Sequence, residues 1–214
     1  MMVVMSGKKL GKFIVFEGID GCGKSTQLKL ISSYLFELDK SNHIFLTREP
    51  TATSKYGSEV RRLLTKSKDI KKDLEKFTSL YIKDRKFHVK NQIVPMLKQG
   101  VIVLCDRYKY STFAYQLAQG ADFNYLKKQH KNLIKPDLVI ILDISVEEAM
   151  ERISRNQNSK DVFEKKNFLE KVRENYLKMK ELFKEEKIVI LNGQGSKEEI
   201  FKKIKMEVDK LFLN

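Results

Sequence analysis

The chain has 214 residues, of which 42 are Lys or Arg and 28 are Asp or Glu, giving a formal net charge of +14. Apolar residues make up 42%, with 10 Gly and 3 Pro; this composition excludes collagen-like and low-complexity chains, and recurrent apolar clusters exclude an intrinsically disordered one. Apolar runs no longer than Leu138–Leu142 exclude a bilayer-spanning helix, which needs roughly 20 such residues, and the length suits one domain.

The chain opens on Met1-Met2-Val3-Val4-Met5-Ser6-Gly7-Lys8-Lys9, too short in apolar residues and lacking the leading charges of a signal peptide, so an unstructured start is expected. Five continuous apolar runs follow, Phe13–Phe16, Ile44–Thr47, Val101–Cys105, Leu138–Leu142 and Ile188–Leu191. Continuous rather than alternating character predicts strands covered on both faces. Helical spacings lie between them. Leu28, Ile31, Tyr34, Leu35 and Leu38 follow the first run. Leu74, Phe77, Leu80 or Tyr81, Val89, Ile93 and Leu97 precede the third. Val162–Phe183 is a long charged amphipathic stretch, and Ile200, Ile204, Val208 and Leu211 stripe a last helix. Strands alternating with helices predict an α/β fold with a parallel sheet in one domain, residues 1–214.

Lysines are interspersed with acids, as in Lys180-Glu181-Leu182-Phe183-Lys184-Glu185-Glu186-Lys187. That pattern suits solvated helix faces with a bias toward anionic ligands; a polynucleotide-binding patch is the less favoured reading. Two cysteines, Cys22 and Cys105, make no disulfide framework and suit a reducing cytoplasm. His43, His88 and His130 show no metal-ligand spacing.

After the first run comes Glu17-Gly18-Ile19-Asp20-Gly21-Cys22-Gly23-Lys24-Ser25-Thr26, which fits G-x-x-x-x-G-K-[ST] with a strand before it and a helix after. Glycines let the main chain turn its N–H groups inward around a polyphosphate. Lys24 supplies a point charge for the β- and γ-phosphates, Ser25 a ligand for Mg²⁺, and the helix its positive end. The candidate nucleotide cradle is therefore Gly18, Asp20, Gly21, Cys22, Gly23, Lys24, Ser25 and Thr26. An N-K-x-D motif is not evident, which disfavours a GTPase. At the carboxyl ends of strands two and three stand Arg48-Glu49-Pro50 and Asp106-Arg107-Tyr108. Ligands of open parallel sheets meet those ends. A carboxylate there can organise Mg²⁺ and arginines can clamp phosphoryl oxygens, although either pair alone also reads as ordinary loop charge.

Phe16-Glu17-Gly18-Ile19-Asp20-Gly21-Cys22-Gly23-Lys24-Ser25-Thr26-Gln27, Thr47-Arg48-Glu49-Pro50, and Asp106-Arg107-Tyr108 followed by Ser111-Thr112-Phe113-Ala114-Tyr115-Gln116 together resemble the thymidylate kinases, in order from about Lys12 to Leu191. The resemblance implies ATP-dependent phosphorylation of dTMP to dTDP with Mg²⁺. It also implies a five-stranded P-loop fold of order 2-3-1-4-5, a small mobile lid, and a homodimer. By the same resemblance Asp20 lies near the sugar 3′-hydroxyl, and Arg48, within an R-E-P segment that includes Glu49, holds the acceptor phosphate. Tyr81 stacks on thymine, Arg85 contacts the base, and Arg107 bridges the phosphates. Thr112, Tyr115 and Gln116 line the sugar and base, while Ser25 and Asp106 serve the metal. Tyr81 and Arg85, four apart on a helix, can frame one flat ring, though Tyr81 alone also reads as a core aromatic.

Two departures stand out. The segment Thr51-Ala52-Thr53-Ser54-Lys55-Tyr56-Gly57 lacks the glycines many members carry after R-E-P, and Gly21 stands where one subgroup has a catalytic arginine. The charge is then expected from a lid at about Arg152–Glu164, with Arg155 and Lys160 as candidates and Arg152 as the alternative. Competing readings are a kinase for dUMP, CMP or a deoxynucleoside and, from another class, a nucleic-acid-binding P-loop ATPase. No membrane partner is expected.

Overall fold

The computed structural model of the chain describes residues 10–66, 74–153 and 159–212. The N-terminal start read as unstructured lies outside them. Five strands, β1 Phe13–Glu17, β2 Ile44–Arg48, β3 Ile102–Asp106, β4 Leu138–Asp143 and β5 Ile188–Asn192, form one parallel sheet in the order β2-β3-β1-β4-β5. This is the predicted order. Every residue of β1 is buried, and β3 and β4 are buried up to their last residue, which is why these runs are continuously apolar. Each fully buried aliphatic or aromatic side chain there stabilises the fold by about 1.5–3 kcal/mol.

Four strands run one residue past their apolar stretch and take in a polar group: Glu17, Arg48, Asp143 and Asn192. The third ends on Asp106, also one residue beyond its apolar run. Hydropathy stops where the side chain becomes polar, but the main-chain ladder continues. Arg48 is in register with Asp106, Asp106 with Phe16, and Glu17 with Ile141. Three charged side chains from three strands are thus delivered to one end of the sheet.

Helix α1 (Lys24–Leu38) buries Leu28, Ile31 and Leu35 and packs on the C-terminal helix (Lys197–Phe212), whose Ile200, Ile204 and Val208 are buried in turn. Between β2 and β3 the chain forms α2 (Lys55–Lys66), α3 (Leu74–His88) and α4 (Val94–Lys98). Helix α2 begins inside the glycine-poor segment Thr51–Gly57. The predicted stripe from Leu74 to Leu97 is interrupted at Val89–Ile93 by a π-turn, where the Val94 N–H reaches back to the Val89 carbonyl. Pro95, which has no N–H to give, follows at once.

After β3 come α5 (Lys109–Ala118) and α6 (Phe123–His130). After β4 come α7 (Val146–Ile153), α8 (Ser159–Leu177) and the short α9 (Met179–Leu182), and the C-terminal helix is α10. Helix α5 packs on α8 and α3. The predicted lid therefore starts inside α7 and ends inside α8. Arg155 lies outside the described residues, as does the side chain of Lys160, whose backbone belongs to α8.

Candidate active site

Two cavities open at the carboxyl end of the sheet. One, of about 520 Å³, is lined by the loop after β1 and by Arg48, Asp106, Arg107 and Arg152. The other, of about 310 Å³, is lined by Phe77, Tyr81 and Arg85 from α3, by Thr112, Tyr115, Gln116 and Gln119 from α5, and by Phe168 from α8. Asp20, Glu49, Pro50, Leu64 and Arg107 line both.

The loop of the first cavity brings Lys24, Ser25 and Thr26 to the start of α1. Lys24 is almost fully buried, with Nζ 3.1 Å from the Gly18 carbonyl, 3.0 Å from the Ile19 carbonyl and 3.6 Å from Cys22 Sγ. Cys22, expected in the nucleotide cradle, is fully buried with its side chain against Lys24 and does not line the cavity. At Gly21 φ is +84°, and a Cβ would lie 2.6 Å from the Ala149 carbonyl oxygen. No larger residue fits without moving α7, which accounts for glycine where the resemblance allowed an arginine. An arginine nevertheless reaches this point. Arg152, in the last turn of α7, donates from Nη1 to the Gly21 carbonyl at 3.3 Å and from Nη2 to Glu148.

Ser25 donates from Oγ to Asp106 Oδ2 at 2.9 Å. The other carboxylate oxygen, Oδ1, is buried without a hydrogen-bond partner among the described residues. A hydroxyl beside a half-satisfied carboxylate is a hard oxygen set of the kind Mg²⁺ uses when phosphates supply the remaining ligands. No cluster of three or more His, Cys, Asp or Glu able to hold a metal occurs among the described residues.

Arg107 stands where the cavities meet. Among the described residues it is the non-glycine with positive φ, at 72°, a left-handed backbone that costs about 1–2 kcal/mol. Its main chain is pinned by donation to the Phe16 carbonyl at 2.9 Å, so the turn after β3 aims the side chain back over the sheet end. There the guanidinium reaches Asp20 Oδ1 at 2.6 Å, Ser111 Oγ at 2.9 Å and the Tyr176 hydroxyl at 3.0 Å, and lies over the Tyr115 ring at 5.2 Å. Partial desolvation by the cavity walls pushes the largely exposed Asp20 carboxyl up, but Arg107 and Lys24 outweigh it and hold the group below its usual range. Burial pushes the Tyr115 phenol up to about 12, against the pull of Arg107, so it stays protonated.

Sequence reasoning assigned no role to the carboxylate that supports this turn. Glu17 is fully buried and accepts from the Tyr108 N–H at 2.7 Å, the Ser111 hydroxyl at 2.6 Å and the Tyr176 hydroxyl at 2.9 Å. Burial raises its carboxyl above the usual range despite Arg107 nearby. Its place directly after the apolar run Phe13–Phe16 was the available signal.

The second cavity rests on a buried ionic network. Arg85, 1% exposed, donates from Nε to Glu49 Oε2 at 2.6 Å and from Nη1 to Thr112 Oγ1 at 2.9 Å and His130 Nε2 at 2.8 Å. Nη2 donates to the Tyr108 carbonyl at 3.0 Å. Glu49 also contacts His88 Nδ1 at 3.0 Å through its other oxygen. Glu49 and Arg85, expected to touch substrate, thus direct most of their polar contacts into the protein. His130 gives its Nδ1 hydrogen to the Leu126 carbonyl at 2.6 Å, leaving Nε2 to accept from Arg85. Burial, helped by the Arg85 charge, lowers its pKa to about 3. Tyr81 lines the cavity, one turn from Arg85 and from Phe77, while the Arg48 side chain is exposed with no hydrogen-bond partner among the described residues.

Sequence reasoning missed Asp84, His88 and His130 as parts of this wall. Asp84, Arg85 and His88 are all buried in α3, and their helical spacing was the only trace of them in the sequence.

The profile of the thymidylate kinase family matches residues 16–204 of this chain. A Pyrococcus horikoshii protein described as "Probable thymidylate kinase" is 42% identical over 193 residues, covering 89% of this chain and 92% of the relative. One from Thermococcus gammatolerans with the same description is 43% identical over 202 residues, covering 91% and 94%. A "Thymidylate kinase" of Desulfotalea psychrophila is 42% identical over 164 residues, covering 76% and 78%.

Proposed function

This chain belongs to the thymidylate kinase family, and from that premise we propose that it transfers the γ-phosphoryl group of ATP to dTMP, giving ADP and dTDP. One observation carries the reading: a phosphate-suited cavity and an aromatic-lined cavity share Asp20, Glu49 and Arg107 at their junction. A transferring group has to pass through such a junction.

In the reaction the bond from the γ-phosphorus to the β,γ-bridging oxygen breaks, and one forms to an oxygen of the dTMP phosphate. That oxygen is already anionic at neutral pH, so no general base is required. The site has to align two polyanions and neutralise their charge. The loop amides at the start of α1 and Lys24 take the donor phosphates. Arg48, exposed at the end of β2, takes the acceptor phosphate. Arg107, locked by Asp20, Ser111 and Tyr176, faces both and needs no reorganisation as charge shifts. Asp20 lies near the sugar, and Tyr81 stacks on the base against Thr112, Tyr115 and Gln116. Arg85 keeps one Nη2 hydrogen for the base edge. Ser25 and Asp106 would hold Mg²⁺, and the ion would supply neutralisation of phosphate charge. Arg152, already beside the loop, is the lid-side cation we assign; Arg155 and the Lys160 side chain, the other candidates, lie outside the described residues.

The cytoplasm is the proposed compartment, supported by two free, buried thiols. No helix among the described residues is long and apolar enough to cross a membrane. A homodimer is the proposed assembly, read by light scattering. The activity is tested by coupled ADP release with ATP, Mg²⁺ and a panel of dTMP, dUMP, CMP and GMP. The highest kcat/KM is expected for dTMP. Equal turnover of another monophosphate, or ATP hydrolysis indifferent to acceptor, overturns the reading.

A further inference from the structure

Asp84, one residue before Arg85, is 1% exposed and faces a different partner. Its Oδ2 accepts the Thr51 N–H at 2.8 Å, and its Oδ1 accepts the Thr51 hydroxyl at 2.7 Å and the Ser54 hydroxyl. Ser54 Oγ accepts the Gly57 N–H at 2.9 Å in turn. The packing is close enough that a Cβ on Gly57 would lie 2.2 Å from the Thr51 carbonyl oxygen and 2.8 Å from Asp84 Oδ1. Only glycine passes there. From α2, Arg61 donates to the Pro50 carbonyl at 2.8 Å and to the Thr51 carbonyl.

Arg85 meanwhile holds Glu49 on the other side of Pro50. Two consecutive residues of α3 therefore grip the residues before and after Pro50, immediately beyond Arg48. The same helix carries Tyr81, one turn back. A nucleoside monophosphate has a nearly fixed span from phosphate to base, so a site that binds both ends must fix the separation of its two walls. An apolar contact could pack a loop against a helix. A carboxylate that accepts one main-chain N–H and two hydroxyls also fixes its register.

We infer that Asp84 is a positioning residue of the acceptor site, tying the segment that presents Arg48 to the helix that presents Tyr81. It touches neither substrate. Its effect falls on the acceptor and leaves the donor loop, which is anchored to α1 and α7, undisturbed. The inference rests on the dTMP reading above, and wild-type turnover of dTMP is its control.

The test is steady-state kinetics of the full chain with each substrate varied in turn, beside calorimetric titration of dTMP without ATP. Asp84→Ala is expected to raise the dTMP KM and Kd about tenfold or more, with the ATP KM within about twofold of wild type. Asp84→Asn is expected to recover most of the loss. Its Oδ1 can accept the Thr51 N–H, and the Thr51 and Ser54 hydroxyls can rotate to accept from its amide. A dTMP KM for Asp84→Ala within about twofold of wild type, or a parallel rise in both KM values, overturns the inference. Should Asp84→Ala fail to fold, Thr51→Val carries the same test, since it keeps the main-chain bond and removes one hydroxyl. A rise of about two- to fivefold in the dTMP KM alone is then expected, and no change overturns the inference. Wild-type protein inactive on dTMP defeats the functional reading instead.

Discussion

The two cavities are built by opposite means. The donor side is one continuous segment, Gly18–Thr26, whose useful groups are main-chain amides, one lysine and the end of a helix. The acceptor side draws Glu49 from just after β2, Tyr81 and Arg85 from α3, Thr112 from α5 and His130 from α6, and Arg85 joins Glu49, Thr112 and His130 by charged hydrogen bonds sealed from water. In the first, loss of a side chain removes a contact to the ligand. In the second, it strands a charge inside the protein.

That contrast is broken or sharpened first at Glu49. Removing one member of a buried pair leaves the other uncompensated, at a cost of about 3–5 kcal/mol. Glu49→Ala, which strands Arg85, is expected to lower stability by that amount in urea denaturation. A loss under about 1 kcal/mol would mean that Thr112, His130 and the Tyr108 carbonyl hold Arg85 without it. On the donor side Lys24→Ala is expected to lower kcat by about a hundredfold or more, the usual cost of deleting one preorganised donor of charge. Its effect on the urea midpoint should be much the smaller of the two. Near-normal ADP release would remove Lys24 from the phosphate-binding group.

The same contrast explains what could be read from the sequence. The donor loop is local, so spacing alone located Gly18, Gly23, Lys24 and Ser25 and the strand and helix that flank them. The strand order also followed from the family resemblance, and the sheet has it. Arg48 and Asp106 were legible as charges closing apolar runs, though not their shared register, which only pairing reveals. Glu49 and Arg85 were found by motif, but whether they face ligand or protein depends on groups 36 residues apart in the chain. His130 was isolated in sequence and became an acceptor for Arg85 only through packing of α6 on α5. The helix after Pro50 was missed because its charged residues follow Thr and Ser, and the carboxylate that organises its start comes from α3.

His130 gives a pH test of the acceptor wall. Its folded pKa, about 3, lies below the unfolded value of 6.5, so its contribution is complete above pH 6.5 and is lost as pH falls toward 3. Below pH 6.5 the unfolded chain takes up a proton that the folded chain refuses. Stability should therefore drop by about 1.4 kcal/mol per pH unit, or about 2 kcal/mol between pH 6.5 and 5. Glu17 acts with the opposite sign. Its carboxyl is raised above 4.5, so its contribution is complete below that value and fades as pH rises through the raised one. The difference between wild type and His130→Gln isolates the histidine, and parallel stability curves for the two would show that the imidazole takes its proton freely in the fold.

The smallest stability effect is expected at Asp20, and it makes the sharpest comparison. Arg107–Asp20 and Arg85–Glu49 have the same length, 2.6 Å, yet the Asp20 side chain is 67% exposed and that of Glu49 2%. Water screens the first pair and can solvate either partner once the other is gone, so Asp20→Asn should change stability by less than about 1 kcal/mol. Its charge still helps fix Arg107 at the junction of the cavities, so kcat/KM for dTMP should fall about tenfold while the protein stays as stable as before. A large stability loss for Asp20→Asn would place the junction inside the same sealed network as the acceptor wall. An unchanged kcat/KM would show that Ser111 and Tyr176 suffice to aim the arginine, and that bond length says nothing about an ion pair's role until its exposure to water is known.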